Sequence, residues 1–153
     1  GETVHIAIGI ALSFRVAADE AVKRAALRTG LESNRTDAAA DVTRALATLA
    51  EVGVATDLPH ELEYPIAGLS SNGQLVSGYV DLVATALEGT VLLDFKTDAP
   101  PMEGQPITQR YIDQVRGYAD VLERALEVPI RAGLLFTADG AVRWLSSGDN
   151  GQS

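Results

Sequence analysis

Residues 75–97 read LVSGYVDLVATALEGTVLLDFKT, two runs rich in Val, Leu and Tyr separated by Glu88-Gly89. This patterning, interrupted by a glycine-containing dipeptide, predicts a β-hairpin of strands 75–87 and 90–97 with Glu88 and Gly89 as its loop. In that register Asp81 lies opposite Lys96, and Val83 opposite Asp94. Directly paired residues share a face, as do i and i+2, so Asp81, Asp94 and Lys96 all project to one side. Val91, Leu93 and Phe95 then form an apolar face suited to covering by helices. Asp81 and Asp94 become diagonal neighbours about 7–8 Å apart, close enough for their carboxylates to close on one hard cation. A slip of one residue would scatter the three charges. On residues alone two readings stand: a solvated face with an Asp81–Lys96 ion pair, or two carboxylates held together by a magnesium-type ion.

Outward from the hairpin, the period of two begins near Glu61, with Gly68, Ser70, Asn72 and Gly73 marking a turn between strands. Glu63, in the strand before the site, reads as an exposed strand carboxylate outside the core set, and His60 after Pro59 as a solvated loop-edge residue. On the other side Asp98, Pro100, Pro101, Gly104 and Pro106 form a loop. Thr108 then caps a long helix whose buried stripe is Ile112, Val115, Ala119, Leu122 and Leu126, ended by Pro129. Residues 131–137 and 141–145 form a last hairpin around Ala138-Asp139-Gly140, with Trp144 as packing, and 146–153 is a frayed tail.

The first third reads helical. Ile6, Ile8 and Ile10 alternate like a buried strand, but Val4, Ile8 and Ala11 fit a helix equally well. A second segment, 16–28, has Asp19 and Glu20 early and Lys23, Arg24 and Arg28 late, which suits the helix dipole, with Gly30 as its stop. A third, 37–51, carries Val42, Leu46 and Leu49 at helical spacing and stops at Gly53. The expected organisation is one domain over 1–145: a helical part (1–53) and a sheet with the site (61–145).

Composition bounds the chemistry. At 153 residues the chain is one domain, able to bury a core without staples, and 46% apolar with 22% charged residues excludes a disordered or fibrous chain. Twelve basic against 21 acidic residues leave a net charge of −9, so a polyanion must be gripped locally rather than by the overall field. The absence of cysteine removes disulfides, thiol nucleophiles and Cys-type metal sites, so any metal must use His, Asp, Glu and carbonyls. No apolar stretch is long enough to span a bilayer, and Glu2 stands where a signal peptide carries positive charge. A soluble, cytoplasmic protein is expected. With Gly1 first and no phosphate-cradling G-x-x-x-x-G-K-[ST] motif, the expectation is a piece of a longer protein that is no ATPase by itself.

Gly78-Tyr79-Val80-Asp81, Asp94-Phe95-Lys96-Thr97 and Gln114-Val115-Arg116-Gly117-Tyr118, in that order, resemble the G-x-[IV]-D, D-[YF]-K-T and Q-x-x-x-Y motifs of the RecB-type nuclease domain. That family belongs to the PD-(D/E)XK superfamily and includes the C-terminal nuclease domains of the RecB and AddA helicase–nucleases. Gly1-Glu2-Thr3-Val4-His5 matches its upstream G-x-x-x-H motif. The resemblance covers roughly 1–145 and implies an α/β fold, a central mixed sheet flanked by helices in the restriction-endonuclease-like manner.

The resemblance further implies that His5, Asp81, Asp94 and the Phe95 carbonyl ligate Mg2+, with Mn2+ a possible substitute. Lys96 would orient or help deprotonate the attacking water and stabilise charge on the phosphate. Gln114 and Tyr118 would support catalysis and DNA contact, with Arg110 and Arg116 flanking them as candidate phosphate contacts. Many members place an arginine after the first aspartate, whereas Leu82 and Val83 follow Asp81 here. The expected function is a magnesium-dependent DNA exonuclease in double-strand break repair, with DNA as substrate and, as partners, an attached helicase motor and a second subunit. The alternatives are a catalytically silent DNA-binding or docking module of the same fold and a stand-alone nuclease.

Overall fold

Strands β1 (His60–Leu69), β2 (Leu75–Ala86), β3 (Gly89–Lys96), β4 (Ile130–Phe136) and β5 (Ala141–Trp144) form one sheet in that spatial order. The computed structural model describes residues 2–29, 35–54, 59–86, 89–97 and 107–145. The expected stop at Gly30, the loop 98–106 and the tail 146–153 lie outside them. Neighbouring strands are antiparallel except β3 and β4, which pair in parallel from Thr90 with Ile130 to Lys96 with Phe136. Parallel neighbours require a crossover, and helix α4 (Gln109–Leu126) supplies it. The sheet is therefore mixed.

Helices α1 (Glu2–Phe14), α2 (Ala18–Thr29) and α3 (Arg35–Glu51) cover one face. The ambiguous first segment is a helix. Val4, Ala7, Ile8, Ile10, Ala11 and Leu12 are all buried, as expected of a helix apolar on nearly every side. The small Ala21 and Ala25 of the neighbouring α2 are fully buried. Leu82, Ala84, Val91, Leu93 and Phe95 join this core from the sheet. Helix α3 ends at Gly53, φ +89, where Val54 N–H reaches back to the Leu49 carbonyl at 2.9 Å. Its Thr48 hydroxyl donates to Gly140 O at 2.6 Å, docking the helix on the β4–β5 turn.

On the opposite face α4 buries Ile112, Val115, Tyr118, Val121 and Leu122. The expected stripe had Ala119 and Leu126 in place of Tyr118 and Val121, but Ala119 is only half-buried and Leu126 is 46% exposed. Two glycines explain the rotation. A Cβ at Gly68 would stand 3.0 Å from Val121 Cγ1, and one at Gly78 only 2.3 Å from the Tyr118 hydroxyl. The missing side chains make recesses that draw Val121 and Tyr118 onto the β1–β2 hairpin. Thr108 occupies the N-cap position without a side-chain capping bond; its carbonyl instead accepts from Tyr111 N–H at 3.0 Å.

The central hairpin forms with a register two residues away from expectation. Ala86 pairs with Gly89, Ala84 with Val91 and Leu82 with Leu93. Gly89, with φ +126, opens β3 rather than sitting in the loop, and Glu88 lies outside the described residues. Continued one step, this ladder places Asp81 across from Asp94, not Lys96. A two-residue shift preserves the side-chain period, so within β3 Asp94 and Lys96 stay on the face opposite Val91, Leu93 and Phe95 while the pairing changes.

Between β1 and β2 the ladder runs from His60 with Ala84 to Leu69 with Leu75 but omits the rung joining Glu63 and Asp81. Glu63 has φ +49. Below this rung Leu62 and Leu82 face the α1–α3 core; above it Tyr64, Ile66, Val76 and Val80 face α4. Strict alternation would put 62, 64 and 66 on one side. The hairpin changes faces at the rung that holds Asp81.

Candidate active site

The acidic site gathers where the end of β3, the middle of β2 and the first turns of α1 meet. Phe95 turns into the α1–α3 core, and Asp94 and Lys96 on either side of it turn the other way. Lys96 Nζ stands 2.8 Å from Asp94 Oδ2 and 4.2 Å from the centre of the Tyr111 ring. The ion pair that one of the two sequence readings drew between Asp81 and Lys96 is made instead by Asp94, two residues before Lys96 on β3. Both partners are largely withdrawn from water, with side chains 17% and 9% exposed. A charge placed there is held by specific neighbours rather than by solvent.

Asp81 Oδ2 accepts the Phe95 N–H at 2.7 Å. Burial pushes the Asp81 carboxyl up to about 8, reinforced by a hydrogen bond with Asp94 and by its negative charge. The Phe95 N–H and Lys96 act in the opposite direction. Two adjacent acids in a desolvated setting cannot both ionise freely, so one proton or one cation is favoured between them.

His5, on the first turn of α1, brings Nδ1 to 3.7 Å from Asp81 Oδ1 and sets its ring edge-on to Phe95. Burial lowers its pKa from the usual 6.5, with Asp94 the main opposing influence. Its Nε2 is buried and has no hydrogen-bond partner. A neutral imidazole with an orphaned nitrogen beside two carboxylates, with the Phe95 peptide adjoining, is a donor set suited to a divalent cation. Among the described residues no three such side chains already stand in a closed ligand cluster. Asp94 is engaged by Lys96.

Gln114 and Tyr118 occupy a different level of the fold. Gln114 Nε2 donates to the Tyr118 hydroxyl at 3.3 Å, and that hydroxyl lies against Gly78, three residues before Asp81. The structure brings His5, Asp81, Asp94, Phe95 and Lys96 together. It sets Gln114 and Tyr118 behind β2. Arg110 is exposed beside Tyr111, its guanidinium 5.5 Å from the ring centre, and Arg116 is half-buried with Nη2 unpartnered.

A sequence profile of the PD-(D/E)XK nuclease superfamily matches residues 10–147. The chain belongs to that superfamily. Its mixed five-stranded sheet with flanking helices is the restriction-endonuclease-like fold of that group, and Asp81, Asp94 and Lys96 fall inside the matched residues. His5 lies ahead of them, so its place in the site rests on geometry. The chain is also 35% identical over 83 residues to an ATP-dependent helicase/nuclease protein of Bacillus cereus (strain AH820) and to its counterpart in Bacillus thuringiensis subsp. konkukian (strain 97-27). Each match covers 48% of this chain and 6% of the relative.

Two further residues border this site: Tyr111, given no part in the sequence reading, and Glu63, read there as an exposed strand carboxylate and exposed in the structure. Tyr111, whose ring takes the Lys96 ammonium, had a signal in its position one helical turn before Gln114 on the same stripe. Glu63 faces Asp81 across the unpaired rung and lines the same cavity as His5 and Asp81. Its left-handed backbone leaves no mark in a period-two pattern. Among the described residues no helix is long and apolar enough to cross a membrane.

Proposed function

We propose that this domain is a divalent-metal-dependent deoxyribonuclease that hydrolyses DNA phosphodiester bonds. The observation that carries the reading is the desolvated Asp81–Asp94 pair beside Lys96, on the hairpin that holds the PD-(D/E)XK signature. His5, Asp81, Asp94 and the Phe95 carbonyl would hold the ion, with Mg2+ as the physiological choice and Mn2+ as a substitute. When bound, the ion supplies charge to the scissile phosphate and lowers the pKa of water. Asp94 and Tyr111 hold Lys96 at the edge of the carboxylates, where its ammonium orients the attacking water and stabilises negative charge developing on phosphate oxygens. Gln114 and Tyr118 act through the placement of β2, since the Tyr118 hydroxyl backs the segment leading to Asp81.

The similarity to helicase/nuclease proteins supports a wider context: exonuclease action during repair of double-strand breaks, in partnership with a helicase motor and a second subunit. The test is cleavage of linear DNA by the purified domain. Cleavage should require Mg2+ or Mn2+, stop on chelation, and be lost in Asp81→Ala, Asp94→Ala and Lys96→Ala, with Lys96→Ala retaining metal binding. Cleavage by Asp94→Ala at the parent rate would overturn the reading.

A further inference from the structure

A cavity of about 200 Å³ opens beside Asp81 and runs along α1 toward the end of α2. His5, Glu63, Asp81 and Phe95 form its inner end. Ile6, Ile10 and Leu62 wall its middle, where Gly9 presents no side chain. Ser13, Phe14 and Arg28 form the outer end, and Phe14 is 60% exposed. Gly9 and Ser13 follow His5 by one and two helical turns, so the groove reaches about 12 Å from the imidazole's turn.

We propose that this groove is a subsite for the nucleotide next to the scissile phosphate on a single DNA strand. The inference rests on the nuclease reading of the carboxylate site. Three features of the lining carry it. The inner end is lined by His5 and Asp81 of the proposed site, so an occupant covalently joined to the scissile phosphate lies beside it. The middle is apolar, matching a base that has left its stack, whereas a base paired in a duplex cannot enter. The outer end carries Arg28, an exposed guanidinium whose planar donors match a backbone phosphate on a molecule of net charge −9. Phe14 offers an exposed ring at the same end for stacking.

The test compares Gly9→Leu, Gly9→Ala and Arg28→Ala with the parent domain. A Cβ at Gly9 would meet Leu62 Cδ1 at 3.5 Å, an ordinary contact, so alanine fits and leucine fills the groove. Binding of a fluorescent ten-nucleotide single strand is measured by anisotropy in calcium. Cleavage of that strand is measured relative to bis(p-nitrophenyl) phosphate, a diester too small to reach Arg28. Gly9→Leu should weaken strand binding and lower the cleavage ratio at least about fivefold, with Gly9→Ala between it and the parent. Arg28→Ala, at an exposed position, should reduce the salt slope of strand binding by about 0.7, the value of one phosphate contact. Equal strand binding, cleavage ratios and salt slopes in all four proteins, with intact thermal melts, would overturn the subsite and show the groove to be filled by something other than the strand. A parent that binds the strand through the groove but cleaves neither substrate would overturn the nuclease reading, and with it the catalytic subsite, and leave the groove a strand-binding site only.

Discussion

Among the described residues the fold shifts the protonation of Asp81 and of His5, and the two push stability in opposite directions. Asp81 rises from 3.8 to about 8 through burial and its neighbour Asp94, so from about pH 4 upward the folded protein holds a proton that the unfolded chain releases. Stability from this group is full below about pH 4 and is lost as pH rises through about 8. His5, lowered from 6.5 by burial, contributes the reverse, a gain with rising pH that is complete by about 6.5. Between about pH 6.5 and 8 the Asp81 contribution is still being lost while that of His5 no longer changes. In chelator, thermal midpoints should therefore fall across that window, and Asp81→Asn should flatten the decline. A slope unchanged by Asp81→Asn would assign it to other groups. Millimolar Mg2+ or Mn2+ should raise the midpoint, since an ion that binds only the folded protein stabilises it by mass action.

At the scale of elements, the position of β2 depends on how α4 seats on the β1–β2 hairpin. The Tyr118 hydroxyl fills the space a side chain at Gly78 would need, and Arg124 Nη1 donates to the Leu69 carbonyl at 3.0 Å, tying the helix to the end of β1. Asp120 receives the Ser71 N–H in the following turn. Gly78→Ala should destabilise the domain by about 1–3 kcal/mol through overpacking, with an added backbone cost at φ +155. Adding Tyr118→Phe removes the oxygen that clashes. The double variant should recover part of the loss, a coupling read from denaturant midpoints of the four proteins. Strict additivity would mean that the recess at Gly78 does not govern the seat. The Glu63–Asp81 rung shows a related dependence: a left-handed residue costs of order 1–3 kcal/mol unless its surroundings impose it, and here two cores pull the strands to opposite faces.

For the whole molecule, the net charge of −9 opposes the approach of DNA, while the proposed function requires it. With 12 basic residues spread over the chain, few phosphates can be neutralised at once. Titration of the isolated domain with a duplex oligonucleotide should give weak binding and a slope of log K against log salt of about −1 to −3, corresponding to one to three contacts. Divalent metal should tighten binding by cancelling the carboxylate charge. Nanomolar affinity at physiological salt in chelator would show that the domain grips DNA without help.

Local period and turn chemistry depend on residues a few positions apart. From these alone the chain determined its central hairpin, the common face of Asp94 and Lys96, the apolar face of Val91, Leu93 and Phe95, the existence of α4, and the ordered motifs that place it among PD-(D/E)XK nucleases. Packing between distant segments decided the rest. Whether residues 2–14 were strand or helix depended on what lay on every side of them. The ladder closed on Ala86 and Gly89, turning a diagonal acid pair into a facing one, and Lys96 paired with Asp94. The glycines at 68 and 78 rotated α4, and the unpaired rung at Glu63 and Asp81 swapped the faces of a hairpin whose sequence alternates without a break. Burial and charge pairing are properties of contacts between elements, so no window of sequence contains them.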